Sequence, residues 1–566
     1  MIFYIIYRIM FFQVRWDFRS ILYYQYCFFT DFLSGQIIIR CINMSNTWNR
    51  NIYRQEQEAF VSGHGGTTSR EVIYALMPNI CSILLTKTAM GLLEPVIHKN
   101  IRVIIEFALI VMPCILCCTV LSDYVVTVCC AMIIISIINI LLLGINSDVT
   151  SMYNMRPVNG KRPFITNFRA FTNLITAICI LAIDFHIFPR KFAKTELFGY
   201  SLMDTGVGLF IFANALVAPE AKDFAPKPRI GFFHTISKNI KHSARSCIPL
   251  LILGFGRSVA IEVLGYQKHV TEYGIHWNFF ITLAFVKLFT SSITSTINSK
   301  YSLLSGIWIL GMHEYVLSTK GLKEWVLSNR PRNDFISANR EGVVSVPGYV
   351  GLYLIGVAVG RLIHSTYQNS HAQDSLLHRH KTFHIKLFGY EFDAHYNQSM
   401  ILCIKLSLIS AQTCAATLFC DAYFGVSRRL ANAGYCMWIL TLGVMVLTLL
   451  LLIEIICDIL IHATIDSKLN QKKTKTCKMN VKSKRDSVPD KCEKDTNKNI
   501  IEILEAVNYN GLFFFLLSNL MTGAINMLVR TLYLSHLKAL LILIAYMAVN
   551  ILSVLLLYRK QVQIKL

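Results

Sequence analysis

Between residues 183 and 197 the chain reads IDFHIFPRKFAKTEL, with Asp184 closing an apolar run and Lys194 beyond a Phe-Pro turn. A carboxylate so placed can act as a general base, and a nearby ammonium can stabilise an oxyanion. A helical turn followed by a proline-directed return can bring the two together. They can equally form a structural ion pair that closes the end of a span, and residue types alone leave both readings open. His276, in GIHWN, is a second candidate base. Beside Trp277 it also fits an interfacial pair at a membrane boundary. Arg257 and Glu262, in GFGRSVAIE, lie inside another apolar run, where an ionised pair is either functional or a buried bridge. Arg340, Glu341, Arg428 and Arg429 make a charged set able to bind an anion such as phosphate. Asp204, in SLMDTGVG, can line a polar cavity, while Gly199, Gly206 and Gly208 read as close-packing glycines. No P-loop, dinucleotide fingerprint, H-E-x-x-H or G-x-S-x-G occurs.

The elements that must hold these groups are apolar. Of 566 residues 54% are hydrophobic and 16% charged, against about 25% charged in soluble domains. The apolar residues fall in runs long enough to span a bilayer. The fold expected is all-α, a polytopic transmembrane bundle of about thirteen spans. These lie near 72–93, 101–121, 124–143, 166–188, 200–218, 246–264, 278–296, 301–318, 343–360, 400–419, 434–462, 511–533 and 538–557. Alternate loops differ in charge: one set carries about 29 Lys and Arg, the other about 11. The positive-inside rule therefore puts the C-terminus in the cytosol and the loops with Asp184, Lys194, His276 and Arg340 on the opposite side. The net charge of +22 belongs to the cytosolic loops and their anionic lipid, not to nucleic acid. Most of the 17 cysteines lie within apolar runs, and C-x-x-C at Cys114 and Cys117 reads as packing within a span. Residues 1–43 form an extension of doubtful status, and 44–566 a single multi-span domain. Within that domain 463–500 reads as a basic, disordered linker. A lipid-modifying enzyme and a secondary transporter both fit this pattern; the broken, inverted repeats of transporters are not visible.

Six stretches carry a resemblance. They are EAFVSGHGGTTSREV (58–72), LAIDFHIFPRKFAKTELFGYSLMDTGVGLFIF (181–212), LGFGRSVAIEVLGYQKHVTEYGIHWNFF (253–280), ANREGVVSVPGYVGLY (338–353), SRRLANAGYCMWI (427–439) and NGLFFFLLSNLMTGAINMLVRTLYLS (510–535). The sequence resembles the GPI-anchor inositol acyltransferases, called phosphatidylinositol-glycan class W in animals and GPI-anchored wall transfer protein in fungi. The resemblance implies a thirteen-span enzyme of the endoplasmic-reticulum membrane. Such an enzyme moves a fatty acyl chain, typically palmitoyl, from acyl-CoA to the inositol 2-hydroxyl of glucosaminyl-phosphatidylinositol, with the site lumenal. No cofactor is implied, acyl-CoA being a co-substrate. The family's catalytic Asp and Lys fall on Asp184 and Lys194 in D-F-x-x-F-P-R-[RK]-F-A-K. Arg190, Lys191 and Arg257 become candidates for substrate phosphates, with Arg340 beside them, and His276 and Asn278 for further substrate contacts. The chain departs from the family pattern in residues 1–43, in SGHGGTT where animals have nearer SNLNGTT, and in an inserted loop at 366–399.

Overall fold

The structure is a computed structural model. It describes residues 47–93, 98–145, 162–222, 232–264, 270–319, 321–328, 330–373, 382–387, 390–395, 398–476 and 501–564. The chain divides into two units, Met1–Phe60 and Val61–Leu566. In the first, the described element is the polar helix Thr47–Val61; the extension 1–43 lies outside the described residues.

Among the described residues the second unit has thirteen long helices, and each expected span falls on one. They are α1 (Ser69–Leu93), α2 (Asn100–Cys118), α3 (Val125–Ile145), α4 (Pro163–Ala182), α5 (Leu202–Leu216), α6 (Phe232–Leu264) and α7 (Phe279–Thr296). There follow α8 (Ser302–Thr319), α9 (Arg340–Gln373), α10 (Gln398–Phe424), α11 (Ala433–Thr476), α12 (Gly511–Leu528) and α13 (His536–Arg559). Among the described residues ten of these are long and apolar enough to cross a membrane; α5, α6 and α8 are not among them. At 15 residues α5 reaches about 22 Å, short of the roughly 30 Å hydrocarbon core.

At three places the elements run differently from the apolar and charged stretches of the sequence. The helix expected to run to 188 ends at Ala182, which leaves Asp184 in the turn beyond it, outside the span. The stretch at 366–399 is partly ordered: α9 runs on to Gln373, and Thr382–Leu387 (β1) pairs antiparallel with Tyr390–His395 (β2). The linker at 463–500 begins as helix, because α11 extends to Thr476; 477–500 lies outside the described residues.

In lipid, helices gain little from hiding apolar surface, so close packing and internal hydrogen bonds hold the bundle. The centre follows that rule. The spans of α9 and α4 are 78% and 72% buried, whereas that of α10 is 17% buried. Where α8 crosses α9, Gly306 and Gly351 let the backbones meet. A Cβ on Gly306 stands 2.9 Å from Gly351 O, and one on Gly351 stands 2.6 Å from Leu310 Cγ.

Contacts between helix ends sort the joints into two faces. On one, Thr67 meets Tyr200, Lys191 meets Asp123, Lys194 meets Glu272, Gly199 meets Val426, Ile275 meets Ala338 and Asn526 meets Asp184. On the other, Arg361 meets Ser299 and Glu220, Arg559 meets Glu502 and Asn100, and Ile503 meets Glu106. Every candidate catalytic group belongs to the first face.

Candidate active site

The site begins where α4 stops. Past Ala182 the chain makes a tight turn, in which Asp184 N–H donates to Leu181 O (3.2 Å) and Phe185 N–H to Ala182 O (3.0 Å). The carbonyls at the end of a helix lack intrahelical donors. The turn's own N–H groups meet those of Cys179, Leu181 and Ala182, and Arg190 holds the chain beyond: its guanidinium donates to Ile183 O, Phe185 O and Phe188 O, each at 2.9 Å. Phe185, Phe188 and Phe192 are buried and pin the turn from inside. The resemblance made Arg190 a candidate for a substrate phosphate; in the structure its guanidinium holds the turn that carries Asp184.

Asp184 is buried, and its Oδ2 accepts a 2.7 Å bond from Asn526 Nδ2 at the end of α12. Burial pushes its pKa up to about 6; the Asn526 bond and then the charges of Arg190 and Lys194 pull against the rise. Lys194 is thus within electrostatic reach of Asp184 but is not its ion-pair partner. The ammonium lies 2.7 Å from Glu272 Oε2, on the loop before α7.

The rest of the loop is clamped from three sides. Thr195 N–H and Oγ1–H donate to Asp204 Oδ2 at 3.1 and 2.7 Å. Asp204 Oδ1 accepts from Arg428 Nε at 2.7 Å, so this buried pair is an internal bridge. Burial opposes the Arg428 charge, but Asp204 and Glu272 raise its pKa overall. The SGHGGTT segment lies along the loop: Thr67 N–H donates to Tyr200 O (2.7 Å) and Glu196 N–H to His64 O (3.2 Å). Gly66 (φ +80) and Gly199 (φ +132) permit this approach; a Cβ on Gly66 stands 2.4 Å from Tyr200 O. From SRRLANAGY, Ser427 Oγ–H donates to Leu197 O (2.7 Å) and Arg429 to Glu196 O (3.0 Å).

The remaining expected substrate contacts are placed as follows. Lys191 bridges Asp123 (2.9 Å) and Glu71 (3.4 Å) and is one-third exposed. Arg257 is exposed on α6, and the Glu262 side chain lies outside the described residues. His276 is exposed, its backbone N–H held by Asn339 Oδ1 at 2.9 Å. Asn278 is buried and caps α7, its Oδ1 accepting from Phe280 N–H and Ile281 N–H while its amide donates to Gly254 O at 2.7 Å. Arg340 is 1% exposed and donates to Ser328 O and Arg330 O. Glu341 is enclosed by Arg332 (2.6 Å) and Arg429 (3.0 Å). The guanidiniums of this set donate to protein acceptors, while among the described residues the buried Nε atoms of Arg340 and Arg429 have no hydrogen-bond acceptor. Cys117 packs with Val125 and Cys129 in a small apolar cluster.

Sequence reasoning missed Asn526 and Glu272. Both lie within the quoted motifs, but 342 and 78 positions from the groups they touch. Their amide and carboxylate chemistry was visible; their partners were not.

A multi-helix membrane bundle that keeps a buried carboxylate and a held ammonium on one loop is a polytopic membrane protein with an ionisable cluster at one face. Comparison then places it. The GWT1 family model matches residues 53–557. The chain is similar to glucosaminyl-phosphatidylinositol-acyltransferase PIGW of Bos taurus, 31% identical over 551 residues, or 90% of this chain and 99% of that protein. The PIGW of Homo sapiens is 31% identical over 543 residues, 89% and 98% of the two chains. GPI-anchored wall transfer protein 1 of Saccharomyces cerevisiae is 33% identical over 415 residues, 72% and 75%. The chain belongs to the GWT1 family.

Proposed function

We propose that this chain acylates the inositol of glucosaminyl-phosphatidylinositol in GPI-anchor synthesis, taking a palmitoyl or similar chain from acyl-CoA. The observation that carries the mechanism is the raised pKa of buried Asp184, about 6, on the same short loop as Lys194. Near neutral pH such a carboxylate is mostly ionised yet more basic than a free one, which suits a general base. Asn526 fixes one of its oxygens. The carboxylate takes the proton of the inositol hydroxyl as the oxygen attacks the thioester carbonyl. Lys194 stabilises the tetrahedral oxyanion. The C–S bond then breaks, and the CoA thiolate leaves with a proton returned through Asp184. The ester and free CoA are the products. No acyl-enzyme is required, because the thioester is already activated.

The names of the full-length relatives support an enzyme over the transporter alternative. The loop charge bias supports thirteen crossings with the C-terminus cytosolic and the site lumenal, in the endoplasmic reticulum. Arg190, Asn278 and Arg340 hold the scaffold, while Lys191, Arg257 and His276 keep enough exposure to meet a head group or CoA. Purified protein given labelled palmitoyl-CoA and glucosaminyl-phosphatidylinositol is expected to form the acylated lipid. Asp184→Asn and Lys194→Ala are expected to abolish it; near-normal product from both sinks the assignment.

A further inference from the structure

We propose that Glu272 is a positioning residue for the acyl transfer: it holds the Lys194 ammonium away from Asp184 and presents it to the acyl carbonyl. The inference rests on the roles given above to Asp184 and Lys194.

A lysine ammonium is a compact charge on a flexible four-carbon stem. Left to itself beside a buried carboxylate it pairs with that carboxylate, and a direct cation lowers a carboxylate pKa by about 1–3 units. The base would then be weakened and its oxygens covered. The structure avoids this outcome. Lys194 Nζ lies 2.7 Å from Glu272 Oε2, with the two side chains 34% and 19% exposed. Arg428 does not compete closely for Glu272: it is bound to Asp204 at 2.7 Å and stands 3.9 Å from Glu272. Asp204 in turn fixes Thr195, the residue after Lys194, through both its N–H and its hydroxyl. The lysine is thus held at its backbone by one carboxylate and at its tip by another. The first comes from the start of α5 and the second from the short helix Val270–Tyr273. An ammonium has three N–H donors, so the Glu272 bond leaves others to meet an oxyanion.

Among the described residues, the charged groups facing Asp184 include Arg190 and Lys194; those facing Glu272 include Lys194 and Arg428, with the Tyr273 and Tyr349 hydroxyls also within its field. If Glu272 keeps the lysine off the base, its removal changes the base as well as the rate. The experiment measures kcat, KM for palmitoyl-CoA and the pH profile of kcat/KM in purified full-length Glu272→Gln. Expected are a kcat at least about tenfold lower, a KM within about twofold, and an acid limb moved below about pH 6 as the freed ammonium turns to Asp184. Glu272→Asp, which keeps the charge on a shorter stem, is expected between Gln and wild type in both rate and limb. A wild-type rate in Glu272→Gln overturns the proposal. So does a lost rate with an unmoved limb, since that marks a purely structural role. Should the Gln variant fail to fold, Glu272→Asp decides, and a wild-type rate and limb there overturn it. If Asp184→Asn and Lys194→Ala stay active, the underlying roles fall; if they are inactive and Glu272→Gln is not, only this proposal falls.

Discussion

Asp184 shows how a single side chain is tuned by groups the sequence does not place beside it. Burial pushes its pKa up; the Asn526 amide, bonded at 2.7 Å, favours the charged form and limits the rise to about 6. Removing that bond raises the pKa further. Asn526→Leu is therefore expected to shift the acid limb of kcat/KM above pH 6 and to cut the rate at pH 7 severalfold. An acid limb that stays where wild type has it would refute the role given to Asn526. The acid and the lysine were legible because one short motif carries both. Arg190, from that same motif, has a structural part that its residue type did not reveal. Its charge suggested a phosphate; its guanidinium donates to the carbonyls of Ile183 and Phe185 in the turn beyond α4.

At the scale of elements, the helices were legible and their ends were not. Apolar runs mark where a chain can enter lipid, and all thirteen fall on helices. Hydropathy does not see capping. The run through Ile187 and Phe188 extends the expected fourth span, while the backbone turns at Ala182 because Arg190 and Pro189 impose a turn. Likewise, α11 outlasts its apolar run. The loop after α4 is the functional element, and SGHGGTT is its clamp. Gly66→Ala adds a Cβ 2.4 Å from Tyr200 O at a positive φ, a strain of about 1–3 kcal/mol. It is expected to lower the melting temperature in detergent and cost about tenfold in activity. Gly65→Ala, whose Cβ meets nothing within 4 Å, is expected to match wild type. Equal behaviour of the two variants would remove the clamp from the account.

For the whole molecule, the arrangement that matters is the division of helix joints between two faces, with acid, amide, ammonium and their carboxylate partners all on one. Charge counting anticipated that division, because the loops that gather at the site are the ones poor in Lys and Arg. It did not anticipate that Arg340, Arg428 and Arg429 would turn inward: Arg428 and Arg429 are buried against Asp204 and Glu341. The sidedness has its own check. The sequon Asn397-Gln398-Ser399 lies in a loop assigned to the cytosol, with Asn397 outside the described residues. In microsomes Asn397 is expected to stay unglycosylated; a glycan there would put the catalytic face in the cytosol. The central claim, that a buried carboxylate poised near neutrality activates the inositol hydroxyl, is tested most directly by the pH profile of acyl transfer in wild type and Asp184→Asn. The wild-type rate should fall about tenfold per unit below an apparent pKa near 6. Asp184→Asn should lose about 10²–10⁴-fold at pH 7 and show no such limb. A variant that keeps both the rate and the limb would contradict the account.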